Sequence, residues 1–318
     1  QNSTARVLTK GASSTPVLSR LDSTTSCEST IVVSMRLRPL IGREAGQSHC
    51  IKIENNVITV VDSVLPNPLR GIKEFAFDNA MDSSDLDSPD CVSQAQCYEL
   101  VGSSIKDYVM QGYNACLFCY GQTGTGKTTT IMGQNFPVEE RGLLPRVVVD
   151  LFRDVERMRS EGSQVSIKFQ MVEVYNEKLT DLIAAHVLGK KNKKVDVHAH
   201  PRHGVYITGA SEELVDDADS LLKLVDYGNS MKTVHATAMN AQSSRGHTVV
   251  KIKLEMSSGA GDFALRSELY FADLAGRENE KTTKVSGDRL VELSYINRSL
   301  MWLTTCIQAL GAAGRASK

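Results

Sequence analysis

The sequence predicts a layered α/β domain on three observations. Helix-period and strand-period segments intermingle along most of the chain, a glycine-rich loop joins an apolar strand to a helix, and the composition is ordinary for a globular protein. The 318 residues carry 36 Lys+Arg against 37 Asp+Glu, a formal charge of −1, with 41% hydrophobic and 23% charged residues. That balance excludes a disordered polyelectrolyte, a collagen and a basic protein that coats polyanions. An acidic partner must therefore be met by a local basic patch, since the global field is near zero. No apolar run approaches the ~20 residues of a membrane helix, and the N-terminal residues lack the apolar core of a secretory signal. A soluble chain without direct membrane insertion is expected. The seven cysteines are odd in number and scattered, which fits a reducing compartment.

Taken in order, residues 1–29 are rich in Ser and Thr and poor in large apolar groups, so they read as a disordered extension ahead of a domain at 30–318. Residues 31–37 are β-rich and stop at Pro39; short strands follow at 51–53, 57–61 and around Phe75 and Phe77. Ser93 with Gln96 makes a capping box before Cys97, Leu100, Val101, Ile105 and Val109 at helical spacing. Residues 116–120 are an apolar strand. Cys116 and Cys119 within it form a C-x-x-C, read as small buried hydrophobes because no second pair completes a zinc site. Pro145 suits the first turn of a helix with Val148, Leu151, Phe152, Val155 and Met158 on one face. Val165, Ile167, Phe169 and Met171 alternate as a strand, and further strands are expected at 248–256 and 268–272. Leu293, Ile296, Leu300, Leu303, Ile307 and Leu310 form a helical stripe expected to pack on the domain's own core and to end at Gly311 and Gly314. No fixed-period repeat interrupts this single unit.

The segment Gly121-Gln122-Thr123-Gly124-Thr125-Gly126-Lys127-Thr128 matches G-x-x-x-x-G-K-[ST] in full. Glycines let successive N–H groups curl around a phosphate, the lysine reaches the β- and γ-phosphates, and the threonine hydroxyl serves Mg²⁺. A second anchor is residues 269–273, an apolar strand ending in Asp273, the usual arrangement for holding a metal-bound water. Alone it is equally an ordinary turn aspartate. It leads into Gly276, which can bring a bare N–H close to a γ-phosphate. The third segment, residues 240–247 (NAQSSRGH), offers two adjacent hydroxyls and an arginine for metal, water and charge; by itself it is equally a solvated polar loop.

Together these segments resemble the kinesin motor domain. GYNACLFCYGQTGTGKTTTIMG, NAQSSRGHTVV, DLAGRE and INRSL stand in the family's order and spacing, as do R-x-R-P at Arg36 to Pro39 and the VEVYNE around Tyr175. HPRHGVYITG, YGNSMKTVHATAMN and SGDRLVELSYINRSL most resemble the kinesin-three, vesicle-carrying branch. The resemblance spans about residues 30 to 315. It implies a P-loop NTPase with three layers, a central mixed β-sheet flanked by helices on both faces. It also implies a cytoplasmic, microtubule-associated motor that binds ATP/ADP and Mg²⁺ and couples hydrolysis to tubulin binding. On that resemblance Arg36, Arg38 and Pro39 line the adenine pocket with Tyr120 nearby, and residues 121–128 with Thr129 hold the phosphates. Thr128 and Ser244 are metal ligands, and Asp273 holds a metal-bound water. Asn240 and Ser243 organise the γ-phosphate and attacking water, Gly276 senses the γ-phosphate, and Arg245 pairs with Glu278 to close the two switch loops.

Two residues depart from the family pattern. Gly246 replaces a serine, loosening the backbone and removing a hydroxyl. Arg277 also replaces a serine and is expected to set a bulky cation beside the γ-phosphate sensor, so Arg277→Ser should raise tubulin-stimulated turnover. The chain ends where the family continues into a last strand, a last helix and the neck, so it reads as C-terminally incomplete. Tubulin contact is expected from Lys190, Lys191, Lys193 and Lys194, with Arg202, Arg298, Arg315 and Lys318 adding to it; a lysine run is equally a solvated loop. Nucleic acid is disfavoured, because no aromatic stacking pattern accompanies the lysines. The competing reading is a nucleotide-dependent microtubule-binding protein with weak or retuned hydrolysis. A depolymerase is disfavoured because Val60 precedes Val61-Asp62 where that branch has lysine. A myosin would need a longer head, and a metabolic kinase an acceptor-activating motif.

Overall fold

The structure, a computed structural model, describes residues 31–44, 46–47, 50–61, 71–188, 194–201, 204–238, 245–257, 265–277 and 288–316. The N-terminal extension lies outside the described residues, as do Lys190, Lys191, Lys193, Arg202, Asn240, Ser243, Ser244, Glu278 and Lys318.

The strands are β1 (Ser34–Leu37), β2 (Ile51–Glu54), β3 (Val57–Val61), β4 (Ile72–Ala76), β5 (Asn79–Asp82), β6 (Ala115–Cys119), β7 (Gln164–Tyr175), β8 (Lys178–Asp181), β9 (Asp196–His200), β10 (Gly204–Thr208), β11 (Glu213–Val215), β12 (His247–Ser257) and β13 (Leu265–Asp273). The helices are α1 (Gln94–Cys97), α2 (Ser103–Met110), α3 (Lys127–Ile131), α4 (Leu143–Ser160), α5 (Ala184–Leu188), α6 (Ala218–Ala238) and α7 (Asp288–Ala316). The central sheet has the order β11-β7-β12-β13-β6, with β8 also on β7. It is mixed: β12 pairs antiparallel with β7 and β13, whereas β13 runs parallel to β6 and aligns Asp273 with Cys119. That last pairing brings the glycine loop after β6 beside the loop after β13. β1 and β5 form a parallel pair, β2-β3-β4 an antiparallel sheet, and β9 and β10 a hairpin.

Period-two alternation explains the sheet's buried face. Ile167, Phe169 and Met171 on β7, Ile252 and Leu254 on β12, and Leu269 and Phe271 on β13 are all buried and share one cluster with Val148, Leu151, Phe152 and Val155 of α4 and Leu221, Leu224 and Val225 of α6. Each such side chain contributes about 1.5–3 kcal/mol when fully withdrawn from water. Ser93 caps α1 with the reciprocal Gln96 contact.

Three expectations differ from the structure. The helix after Ser93 passes through a π turn at Tyr98–Gly102 before α2. The extra residue rotates the face, so Leu100 is exposed and Tyr98 takes the buried place, its hydroxyl donating to Asp150 at 2.6 Å. The final helix does not stop at Gly311 and Gly314 but continues to Ala316, and its stripe is buried only at Leu293, Ile296 and Leu300; Leu310 is 49% exposed. Of these, Ile296 and Leu300 pack with Ala275 and Leu274 as a separate small cluster. Cys116 is exposed rather than buried, while burial pushes the Cys119 thiol up to about 12. Among the described residues no group of His, Cys, Asp and Glu could hold a metal by itself, and no helix is long and apolar enough to cross a membrane.

Candidate nucleotide site

The site grows from the parallel pairing of β6 and β13. Beyond β6 the chain must turn sharply, and Gly124 and Gly126 adopt φ of +80° and +90° with open space where a Cβ would sit. Conformation, not crowding, is what requires glycine there. Lys127 opens α3, which runs only to Ile131 before a loop, and the helix resumes at α4. So short a helix offers loop and first-turn N–H groups rather than a macrodipole of full length. The Lys127 ammonium folds back over the loop, donating to the carbonyls of Gly121 at 3.0 Å and Gln122 at 2.8 Å.

Across this loop the Thr128 hydroxyl donates to Oδ2 of Asp273 at 2.6 Å. Oδ1 of the same carboxylate is buried and has no hydrogen-bond partner among the described residues; Asp273 as a whole is only 7% exposed. A buried acceptor left unpaired costs about 1–3 kcal/mol, and more when charged, so this oxygen is built for a partner supplied by a ligand. A hydroxyl and a carboxylate side by side form the hard-oxygen donor set that suits Mg²⁺ with its retained waters.

A cavity of about 420 Å³ lies along the loop. It is lined by residues 123–130, by Arg36, Arg38 and Pro39, and by Lys232, Gly246 and Asp273. The two arginines are already engaged. Arg36 donates to Ser83 at 3.0 Å and Gln94 at 2.8 Å, tying β1 to the capped helix, while Arg38 grips both carboxylate oxygens of Glu44 at 2.7 and 2.8 Å. They therefore contribute to the pocket lining by their stems and planes, with these donors committed to the protein. Tyr120 does not line the cavity. It is 47% exposed, and its hydroxyl accepts from the guanidinium of Arg277. The cation expected beside the γ-phosphate sensor is accordingly drawn onto Tyr120.

Gly276 is buried in the loop after Asp273. Its neighbours are pinned: the Ala275 N–H donates to Nδ1 of His247 at 3.0 Å, and the Arg277 N–H to the Gly121 carbonyl at 3.2 Å. Gly246 is buried with Glu173 in the place of its absent side chain, since a Cβ would come within 2.4 Å of Glu173 Oε1. A larger residue here requires the flexible Glu173 side chain to move aside. Arg245 pairs with Glu292 of α7, whose carboxylate also accepts from the Tyr175 hydroxyl. Its expected partner, Glu278, is outside the described residues.

Sequence reasoning passed over three residues. His247 is buried and bridges Ala275 to Ser299 Oγ, 2.7 Å from Nε2. Lys232 projects from α6 into the cavity wall and donates to Thr248 at 2.7 Å. Glu292 anchors Arg245. Each sits inside a segment singled out for other residues, and each acts through a long-range contact that no local pattern announces. Of the basic residues expected to meet tubulin, Lys194 is exposed and pairs with Asp196 at 3.0 Å, and Arg298 lies over the ring of Tyr295 on α7.

The kinesin motor domain family model matches residues 36–317. The chain belongs to the kinesin motor domain family. Mouse Kinesin-like protein KIF16B is 33% identical to this kinesin chain over 292 residues, 88% of the chain and 22% of that protein. Kinesin-like protein unc-104 of Caenorhabditis elegans is 32% identical, across 91% of the chain and 18% of that protein. The Xenopus laevis chromosome-associated kinesin KIF4 is 35% identical over 289 residues, 88% of the chain and 22% of that protein. The chain spans about a fifth of the length of these relatives. A KIF14 segment solved with ADP in complex with a microtubule superposes with a TM-score of 0.79 at 31% identity, covering 91% of this chain and 81% of that one. A fast kinesin superposes at 0.72 and 28% identity, covering 84% and 72%. The mixed central sheet flanked by helices is therefore the kinesin P-loop NTPase fold.

Proposed function

We propose that this kinesin domain binds ATP with Mg²⁺, hydrolyses it, and couples the cycle to its grip on microtubules in the cytoplasm. The observation that carries the reading is the Thr128–Asp273 pair across the phosphate loop, with the second Asp273 oxygen buried and unpartnered among the described residues. Related proteins solved with ADP or AMP-PNP on microtubules support it. Lys127 and the N–H groups of residues 121–128 would cradle the phosphates, exchanging the Gly121 and Gln122 carbonyls for phosphate oxygens. Thr128, Ser244 and, through water, Asp273 would hold Mg²⁺, which offsets charge on the β- and γ-oxygens. Arg36, Arg38 and Pro39 would border the base, with Thr129 behind the phosphates. Asn240 and Ser243 would orient the attacking water, and Gly276 would offer its N–H to the terminal phosphate. Arg245 would leave Glu292 for Glu278 as the loops close.

Phosphate release measured with and without microtubules tests the reading. Release that microtubules accelerate at least tenfold supports it, and tight microtubule binding with slow, unstimulated release would favour the weak-hydrolysis alternative. That alternative draws on the Arg245–Glu292 pair, which holds the switch arginine on α7.

A further inference from the structure

We propose that Arg277 and Tyr120 form a clamp that positions Gly276 for the terminal phosphate and so sets this domain's preference for a nucleoside triphosphate over a diphosphate. The inference rests on the nucleotide-binding reading above and adds two positioning residues to it. Two hydrogen bonds join the start of the second switch loop to the start of the phosphate loop. One is backbone, from the Arg277 N–H to the Gly121 carbonyl at 3.2 Å; the other is the Arg277 guanidinium to the Tyr120 hydroxyl. On the other side of Gly276 the Ala275 N–H is fixed by His247. Gly276 itself is buried, and its N–H has no partner among the described residues.

A donor held between two tethered amides cannot turn away to find another acceptor. Its orientation is set before ligand arrives, which lowers the ordering cost of meeting a terminal phosphate. The Gly121 carbonyl also accepts from Lys127, so the clamp ties the switch loop to the group that supports the phosphate lysine. A diphosphate ends short of the γ position and makes no use of Gly276, so its binding should be indifferent to the clamp. Because Arg277 and Tyr120 are both solvent-exposed, the side-chain bond is screened, and the expected effect is modest.

The test measures binding of AMP-PNP and of ADP, each with Mg²⁺, to the wild type, Arg277→Ser, Tyr120→Phe and the double variant. Arg277→Ser and Tyr120→Phe should each weaken AMP-PNP about three- to tenfold, the range one exposed charge-assisted hydrogen bond supports, and leave ADP within about twofold. The double variant should be no weaker than either single one, because both remove the same bond. Arg277→Lys, which can still donate to the hydroxyl, should recover part of the loss. In steady state the KM for ATP should rise while kcat does not fall. Equal losses for both nucleotides would show that Tyr120 serves the base or that the loop has merely been destabilised. That result, additive single effects, or unchanged AMP-PNP affinity would overturn the clamp. A wild type that bound neither nucleotide would instead overturn the nucleotide-binding reading beneath it.

Discussion

Acidification should strain this fold at one identifiable residue. His247 is 8% exposed; its Nδ1 accepts the Ala275 N–H, and its Nε2 is shared with Ser299, whose hydroxyl donates on to the Ile296 carbonyl at 2.8 Å. An Nδ1 that accepts cannot carry a proton, so the ring is neutral with hydrogen on Nε2. Burial first, then the nearby Lys232 and Lys127 ammonium groups, lower its pKa to about 4, against the opposing pull of Asp273. The unfolded ring titrates near 6.5, so between those values the unfolded chain binds the additional proton. Stability from this group is therefore complete above pH ~6.5 and lost progressively as pH falls toward 4. At pH 5 the linkage amounts to about 2 kcal/mol. Urea unfolding at pH 7.5 and 5.0 should show the wild type losing about 2 kcal/mol more than His247→Asn, which cannot titrate. Proton NMR of the wild type should find the ring untitrated at pH 5.5. Equal losses in the two proteins, or a ring that titrates near 6.5, would refute the buried-acceptor argument.

Asp273→Asn keeps an acceptor for Thr128 but removes the charge from the oxygen that stands unpartnered. Binding of AMP-PNP in the presence of Mg²⁺ should fall about 10- to 100-fold while binding in EDTA changes little; equal loss in both would contradict the metal-site assignment. Glu292→Gln weakens the hold on Arg245 and should raise microtubule-independent phosphate release about two- to tenfold, with an unchanged basal rate counting against Glu292 as a competing partner. Gly246→Ser must displace Glu173 from the space beside its backbone. A net destabilisation of about 1 kcal/mol is expected in denaturant titration after the small entropic gain of losing a glycine, and a stabilised variant would contradict the crowding.

Most of the fold was legible in the sequence where one period ruled a whole element. β12 and α4 bury one face each, and the first half of β7 alternates in the same way before both its faces are covered at Phe169 to Val172, so a two- or 3.6-residue repeat declares them directly. The π turn was not legible, since its signal is a single extra residue that moves Tyr98 inward and Leu100 outward. Nor was the run of α7 past Gly311 and Gly314: glycine lowers helix propensity by about 1 kcal/mol, which a long helix already nucleated and docked upstream can absorb. The phosphate loop could be read because backbone conformation dictates its residues one by one. Arg277 could be noticed as unusual, but its destination could not, because Tyr120 lies 157 positions away and only the parallel pairing of β6 with β13 brings the two loops together.

That pairing also constrains how a change at the phosphate loop could reach α7. The start of β12 and the residues just before it hold the helix at two points, Arg245 to Glu292 and His247 to Ser299. The two anchor residues are seven apart, two turns and about 10 Å along the axis, so they lie on the same face. One anchor alone would leave a hinge; two prevent the helix from rolling or sliding freely against the sheet. Any displacement of α7 must break one of these contacts or carry the first residues of β12 with it. His247 is the more consequential of the two, since its other nitrogen is fixed by Ala275, one residue before Gly276. A shift of the loop that reorients the Ala275 amide removes a donor from a buried ring, and the ring can regain a partner only by turning, which disturbs its contact with Ser299. Ala275, His247 and Ser299 thus stand in a sequence of directional contacts that runs from the loop after Asp273 to α7, and a change in that loop has a direct route to the helix through the ring between them.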